Sequence, residues 1–179
     1  MRNRYRGYRV RSMRMPGWDY CSGGWYFVTI ITELRTPHFG KLKSGRVFPS
    51  ACTKICLECW DNISRRHPHV RTDEFIVMPD HVHGLLFVNT EYADPSTYYE
   101  SRRGSTGMPV MSKNSLGSIV NHFKGEVSKR IRKELGIEFR WKPRFHDHVL
   151  RNSLDVVRAQ HYIRHNPRIH SARIRRNRL

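Results

Sequence analysis

Between residues 70 and 88 the chain runs through two stretches of apolar and β-branched residues, Val70–Met78 and His81–Val88, separated only by Pro79-Asp80. A two-residue link is too short for a crossover, so strands joined this way pair as an antiparallel hairpin. The hairpin sets the direction of any sheet, and the remaining elements have to be built around it. Trp25–Thr32 is equally dense in aromatic and β-branched residues and reads as a buried strand. A loop is expected over Pro37–Gly45. Cys52, Ile55, Cys56, Cys59, Trp60 and Ile63 then recur at three- and four-residue spacing, one face of a helix ending near His67-Pro68.

After the hairpin, residues 89–114 are rich in Ser, Thr, Gly and Tyr without periodicity and read as a long mobile loop. Ser115 caps a helix with Leu116, Ile119, Val120, Phe123, Val127, Ile131 and Leu135 on one face, closed by Gly136. Phe139–Trp141 and Val149-Leu150 are strand-like pieces around a Lys142-Pro143-Arg144 turn. Ser153 caps a last helix that is expected to stop at Asn166-Pro167. The order β-α-β-β-α-β-α predicts an α+β fold: a ferredoxin-like antiparallel sheet with helices on one face, plus a C-terminal helix that bears Tyr162. The chain divides into an arm (1–24), a single domain (25–170) and a basic tail (171–179).

Charge narrows the partner. The 179 residues carry a formal net charge of +18, a surplus that points to a polyanion, nucleic acid first. It is unevenly placed: residues 1–14 hold six arginines and no acid, and residues 101–179 hold nineteen basic against five acidic residues. No apolar run is long enough to span a membrane, and the basic start lacks the apolar segment of a secretory signal. The expectation is a cytoplasmic, nucleoid-associated protein with no membrane partner.

Cys52, Cys56 and Cys59 have the C-x3-C-x2-C spacing that can hold three irons of a four-iron cluster. They also fall in register with Ile55, Trp60 and Ile63 on a helix face, where a buried thiol acts as a small hydrophobe. Core packing is the reading carried forward. A zinc or cluster site on the same cysteines is the alternative.

His81-Val82-His83 alternates on a strand, so both imidazoles point to one side while Val82 points into the core. Two imidazoles on the rigid centre of a sheet are a good start on a metal site. His67-Pro68-His69 and His146-Asp147-His148 share the spacing but lie in loop-like or strand-edge surroundings. Tyr162 and Asn166 are spaced i, i+4 and stack on one helix face. There Asn166 can offer a carbonyl oxygen to a metal and Tyr162 a nucleophilic phenolate. Each can equally be structural: a tyrosine packing its ring, an asparagine ending a helix.

Phe75–Gly84 resembles the metal-binding strand of the single-tyrosine HUH transposases of the IS200-like superfamily. The segment Trp141–Asn152, followed by Tyr162-Ile163-x-x-Asn166-Pro167, is similar to the REP-associated tyrosine transposases, and Trp25–Thr32 to the family's first strand. The resemblance spans about residues 15–170. It implies that His81, His83 and Asn166 bind a divalent ion, Mg2+ or Mn2+, and that Tyr162 attacks a DNA phosphate, leaving a 5′-phosphotyrosine link and a free 3′-OH. It implies single-stranded or hairpin DNA as partner, and a monomer rather than a dimer. The long 89–114 stretch departs from the family pattern, which bears on target choice more than on chemistry.

Lys124, Lys129, Arg130, Arg144 and Arg151 are candidates for phosphate contacts, and Tyr98 and Tyr99 for stacking on bases. The chief alternative is a non-catalytic basic DNA- or RNA-binding protein of the same fold. A larger replication or conjugation nickase would need further helicase or primase parts.

Overall fold

A computed structural model describes residues 23–89 and 115–176; nearly all of the arm, and the predicted loop with Tyr98 and Tyr99, lie outside the described residues. In chain order the elements are β1 (Gly24–Ile31), β2 (Gly40–Lys43), β3 (Arg46–Pro49), α1 (Ala51–Asp61), α2 (Ile63–Arg66), β4 (Val70–Met78), β5 (His81–Val88), α3 (Leu116–Leu135), β6 (His146–Leu150) and α4 (Ser153–Arg176). The main sheet has the order β4-β5-β1-β6 with every neighbour antiparallel. This is the ferredoxin-like order for β1, β4, β5 and β6, as the sequence predicts.

Strand alternation gives the sheet two different faces. Tyr26, Val28 and Ile30 of β1 and Val82, Leu86 and Val88 of β5 join the larger core under α1 and α3. Phe27 of β1 and Leu85 of β5 face the other way, against Ile163, Val156 and Ala159 of α4. The added C-terminal helix therefore covers the face that α1 and α3 leave open. The three cysteines of α1 are buried free thiols in the larger core. Burial pushes all three thiols up in pKa, Cys56 most of all, which keeps them protonated and hydrophobe-like.

α3 begins and ends where its sequence says: the Ser118 amide donates to Ser115 Oγ, and Gly136 closes it in the left-handed region at φ 67°. Four details differ. The expected loop at 37–45 contains half of a small ribbon, β2 and β3, turned by Ser44 and Gly45, both at positive φ. Its lysines and arginine give no apolar alternation, and only the Ser-Gly dipeptide signals the turn. Residues 139–141 contribute a single bridge, Trp141 to Thr32, rather than a strand. The last helix is capped by Asn152, whose Oδ1 accepts from the Asp155 amide, not by Ser153. That helix also continues through Pro167 to Arg176. Proline in a helix interior forfeits one hydrogen bond. Here tertiary contacts hold the second half: the Gly45 amide donates to Ser171 Oγ at 3.0 Å, and Arg168 packs against Gly45.

Gly84 on β5 is a packing requirement. The indole of Trp60, stacked on Phe75 with ring centres 4.1 Å apart, lies across it. A Cβ at Gly84 would come 2.2 Å from Trp60 Cη2. Gly84→Ala should therefore cost about 1–3 kcal/mol of unfolding free energy in urea titration. Combining it with Trp60→Leu should recover part of the loss as a positive coupling; strictly additive costs would show that the close approach does not matter.

Candidate active site

The two histidines of β5 sit on its α4-facing side, at the middle of the sheet. His83 pairs across with Thr29 of β1 and Ile76 of β4, and His81 with Ile31 and Met78. Both are more than nine-tenths buried, and their rings are 4.8 Å apart. Each is fixed through Nδ1. His81 Nδ1 lies 2.5 Å from Asp80 Oδ1, and Asp80 also receives Arg35 at 3.0 Å. Burial alone would raise the Asp80 carboxyl, but the bonds and charges of His81 and Arg35 outweigh it and hold it at about 2. An ionised carboxylate only accepts, so His81 Nδ1 is the donor of this bond. His83 Nδ1 lies 2.8 Å from Thr29 Oγ1. Burial first, then the neighbouring His81 and His170, push His83 down to about 3, which keeps it neutral.

α4 crosses above them. Val156, Ala159, Ile163, Asn166 and His170 recur at three or four residues and form its sheet-facing stripe. The first three are apolar and pack in the smaller core. The stripe turns polar where it reaches the histidines. Asn166 is 2% exposed and its Oδ1 has no hydrogen-bond partner; His170 Nδ1 is likewise buried without one, with its ring 5.8 Å from His81. Tyr162, one turn before Asn166, stands edge-on to His83 at 5.5 Å and to Phe27 at 5.9 Å between ring centres.

The helix is tied down from two sides. Gln160 donates to Asp73 and Arg164 to Glu74, both on β4, while Ser171 is held by the β2–β3 turn.

Two imidazoles and an amide oxygen are a donor set that can hold a divalent ion. The orphaned Asn166 oxygen fits that use, since a buried acceptor without a partner costs about 1–3 kcal/mol. Among the described residues no three His, Cys, Asp or Glu side chains are placed to hold a metal ion.

Of the predicted phosphate contacts, Lys124 and Arg130 are turned to internal partners. Lys124 Nζ donates to the carbonyls of Lys142 and Arg144, tying down the turn before β6. Arg130 bridges Glu58 and Glu134. Lys129 is exposed on α3, on the far side of the sheet. Arg144 and Arg151 are exposed at the two ends of β6. Three residues around the histidines escape sequence reasoning: Thr29, Asp80 and His170. His146 also pairs with Thr29, on the same face as His83.

A cavity of about 350 Å³ opens elsewhere, between α2 and α3, lined by Cys59, Asn62, His67, His122 and Glu126. His67 Nε2 and His122 Nδ1 are 3.3 Å apart there.

No family model matches the sequence. The chain is 29% identical over 157 residues to an uncharacterized protein of Haemophilus influenzae, covering 88% of this chain and 87% of that one. Its fold is that of a REP-associated tyrosine transposase solved bound to a REP hairpin, with a TM-score of 0.57, 18% identity, and coverage of 88% of this chain and 74% of that one. The structural likeness and the motif resemblance thus meet on the same kind of protein.

His67 gives a pH prediction. Burial, then the charges of His122, His69 and Arg66, lower it to about 4. The folded state therefore binds fewer protons than the unfolded one between pH 6.5 and 4. This contribution to stability is full above pH 6.5 and falls as pH drops towards 4, by roughly 2–3 kcal/mol. His67→Gln should flatten that limb in urea unfolding compared at pH 7 and pH 4.5. An unchanged slope would assign the limb to other groups.

Proposed function

We propose that this protein is a metal-dependent tyrosine transposase that nicks and rejoins single-stranded DNA through Tyr162. The observation that carries the reading is Tyr162 edge-on to His83 with Asn166 one helical turn further along the same helix, its oxygen buried and unpartnered. His81, His83 and Asn166 would hold Mg2+ or Mn2+, which when bound polarises a phosphoryl oxygen and orients the phosphate for in-line attack.

The chain's own residues do the rest. Asp80 and Thr29 fix the two imidazoles through Nδ1, leaving each Nε2 to face the ion. Tyr162, its ring edge-on to His83 and Phe27, is the proposed nucleophile. Attack on the DNA phosphorus forms the Tyr162 O–P bond and breaks the P–O3′ bond; the phenol proton is lost and the 3′-oxygen gains one. The phosphoester energy stays in the 5′-phosphotyrosine link, so a second 3′-OH can reverse the step and rejoin DNA without ATP.

Single-stranded or hairpin DNA is the proposed substrate. The strongly basic sequence and the hairpin held by the structurally similar transposase support it. The proposed acting form is a monomer. No helix among the described residues is long and apolar enough to cross a membrane. Of the basic candidates, exposed Lys129, Arg144 and Arg151 are retained as phosphate contacts.

Incubation with labelled hairpin DNA and Mn2+, followed by denaturing electrophoresis, should give a slow-migrating covalent adduct. Tyr162→Phe and chelation should each abolish it while leaving DNA binding within about twofold. Binding that weakens with salt but never yields an adduct across a panel of hairpins would instead identify a non-catalytic binder. Arg144→Ala and Arg151→Ala should weaken binding for all sequences alike and reduce the slope of log affinity against log salt by about one each.

A further inference from the structure

The small β2–β3 ribbon has an outer face that the proposed chemistry does not use. We infer that this face, together with Arg168 of α4, is a grip for single-stranded DNA leading away from the site, with cations on the phosphates and Phe48 stacked on an unpaired base. The inference rests on the DNA-handling function proposed above and adds a contact surface to it.

The register of the ribbon sets the face. Lys41 lies directly across from Phe48 and Lys43 from Arg46, while Leu42 pairs with Val47 between them. Directly opposed residues of an antiparallel pair share a face, and the face alternates along each strand. The Leu42–Val47 pair is half-buried, so its side of the ribbon turns inward. Lys41, Lys43, Arg46 and Phe48 are all exposed on the other side, Phe48 by 54%. Like charges directly opposed, as at Lys43 and Arg46, repel each other. None of the three cations has an ion pair among the described residues. No acidic residue occurs between Glu33 and Glu58 or after Asp155, so neither segment that meets here holds an acid to relieve them. A polyanion would.

Placement ties this face to the site. The Gly45 amide at the turn of the ribbon donates to Ser171 Oγ at 3.0 Å, and Arg168, exposed one turn earlier on α4, packs against the same glycine. Ser171 directly follows His170, whose ring is 5.8 Å from that of His81. Tyr162 and Ser171 stand on the same helix, about 13 Å apart along its axis, so a strand bound at Tyr162 reaches the ribbon within a few nucleotides. The mixture of residues selects the form of the DNA. Cations alone fit any phosphate backbone, whereas an exposed aromatic ring offers a stacking surface that an unpaired base is free to take. A two-stranded ribbon can also enter the groove of a duplex, but stacked bases there leave Phe48 no face to cover.

The test uses the full chain with chelator present, so that binding is read without cleavage. Fluorescence anisotropy compares a hairpin with single-stranded flanks, the same hairpin trimmed to a blunt stem, and an unpaired strand alone. Replacing Lys41, Lys43 and Arg46 together by Gln should weaken binding of the flanked hairpin about tenfold or more and lower the slope of log affinity against log salt by about two, with the blunt stem within about twofold of wild type. Phe48→Ala should weaken the flanked hairpin and the unpaired strand about fivefold or more at unchanged salt slope, and Phe48→Trp should restore them. Equal losses on flanked and blunt hairpins would overturn the single-strand assignment in favour of the duplex stem. Unchanged affinity and slope in the variants, while wild type binds, would remove the ribbon as a DNA contact altogether. Ultraviolet crosslinking of wild type to DNA carrying 5-iodouracil in the flank removes the dependence on a variant's folding. A crosslink at Phe48 supports the grip, and crosslinks found only elsewhere on the chain overturn it. Weakened binding by the ribbon variants with no covalent adduct in wild type would keep the grip and sink the tyrosine chemistry, whereas wild type that binds no DNA sinks both.

Discussion

β5 is hydrogen-bonded on both sides, to β1 and to β4, along nearly its whole length. A strand held in this way cannot slip by one residue without moving Val82 out of the core and both histidines into it, so the register of His81 and His83 is enforced by burial on one side. Gly84 adds to the constraint, because the Trp60 indole lies across the strand there and packs the α1 layer tightly behind the histidines. The imidazoles thus stand on a strand paired on both edges, and Asp80 and Thr29 then set their orientation.

The opposite partner, α4, is held by fewer and more exposed contacts. Its apolar stripe covers Leu85 and Leu150, while ion pairs and hydrogen bonds to Asp73, Glu74 and the β2–β3 turn fix its direction. Exposed ion pairs of this kind contribute only about 0–1 kcal/mol each. The division is a histidine strand held along both edges and a helix held by more exposed contacts.

The strongly basic sequence does not translate evenly into a basic surface around the site. Lys124 and Arg130, two of the residues expected to touch phosphate, are used to tie down a turn and to join α3 to α1. Counting charge identifies the class of partner, because a long-range field depends on the sum. It does not identify the contacts, because any single cation can be taken by a nearby carbonyl or carboxylate.

Period and spacing alone determined most of the frame: the β4–β5 hairpin, the buried first strand, the amphipathic α1 and α3 with Ser115 and Gly136 at the ends of α3, and the sidedness of His81 and His83. These are local properties, since alternation and helical period fix which residues share a face. The i, i+4 pairing of Tyr162 with Asn166 was legible for the same reason. Tertiary structure decided the rest. It carried α4 through Pro167, against the local stop signal, because contacts with Gly45 compensate for the lost hydrogen bond. That continuation brings His170 over His81, while strand pairing brings Thr29 beside His83, and neither partner is near its histidine in sequence. Which face α4 covers was likewise undecided by its own residues: an apolar stripe specifies that a helix must pack, and only the occupied face behind α1 and α3 left it the side that carries the histidines.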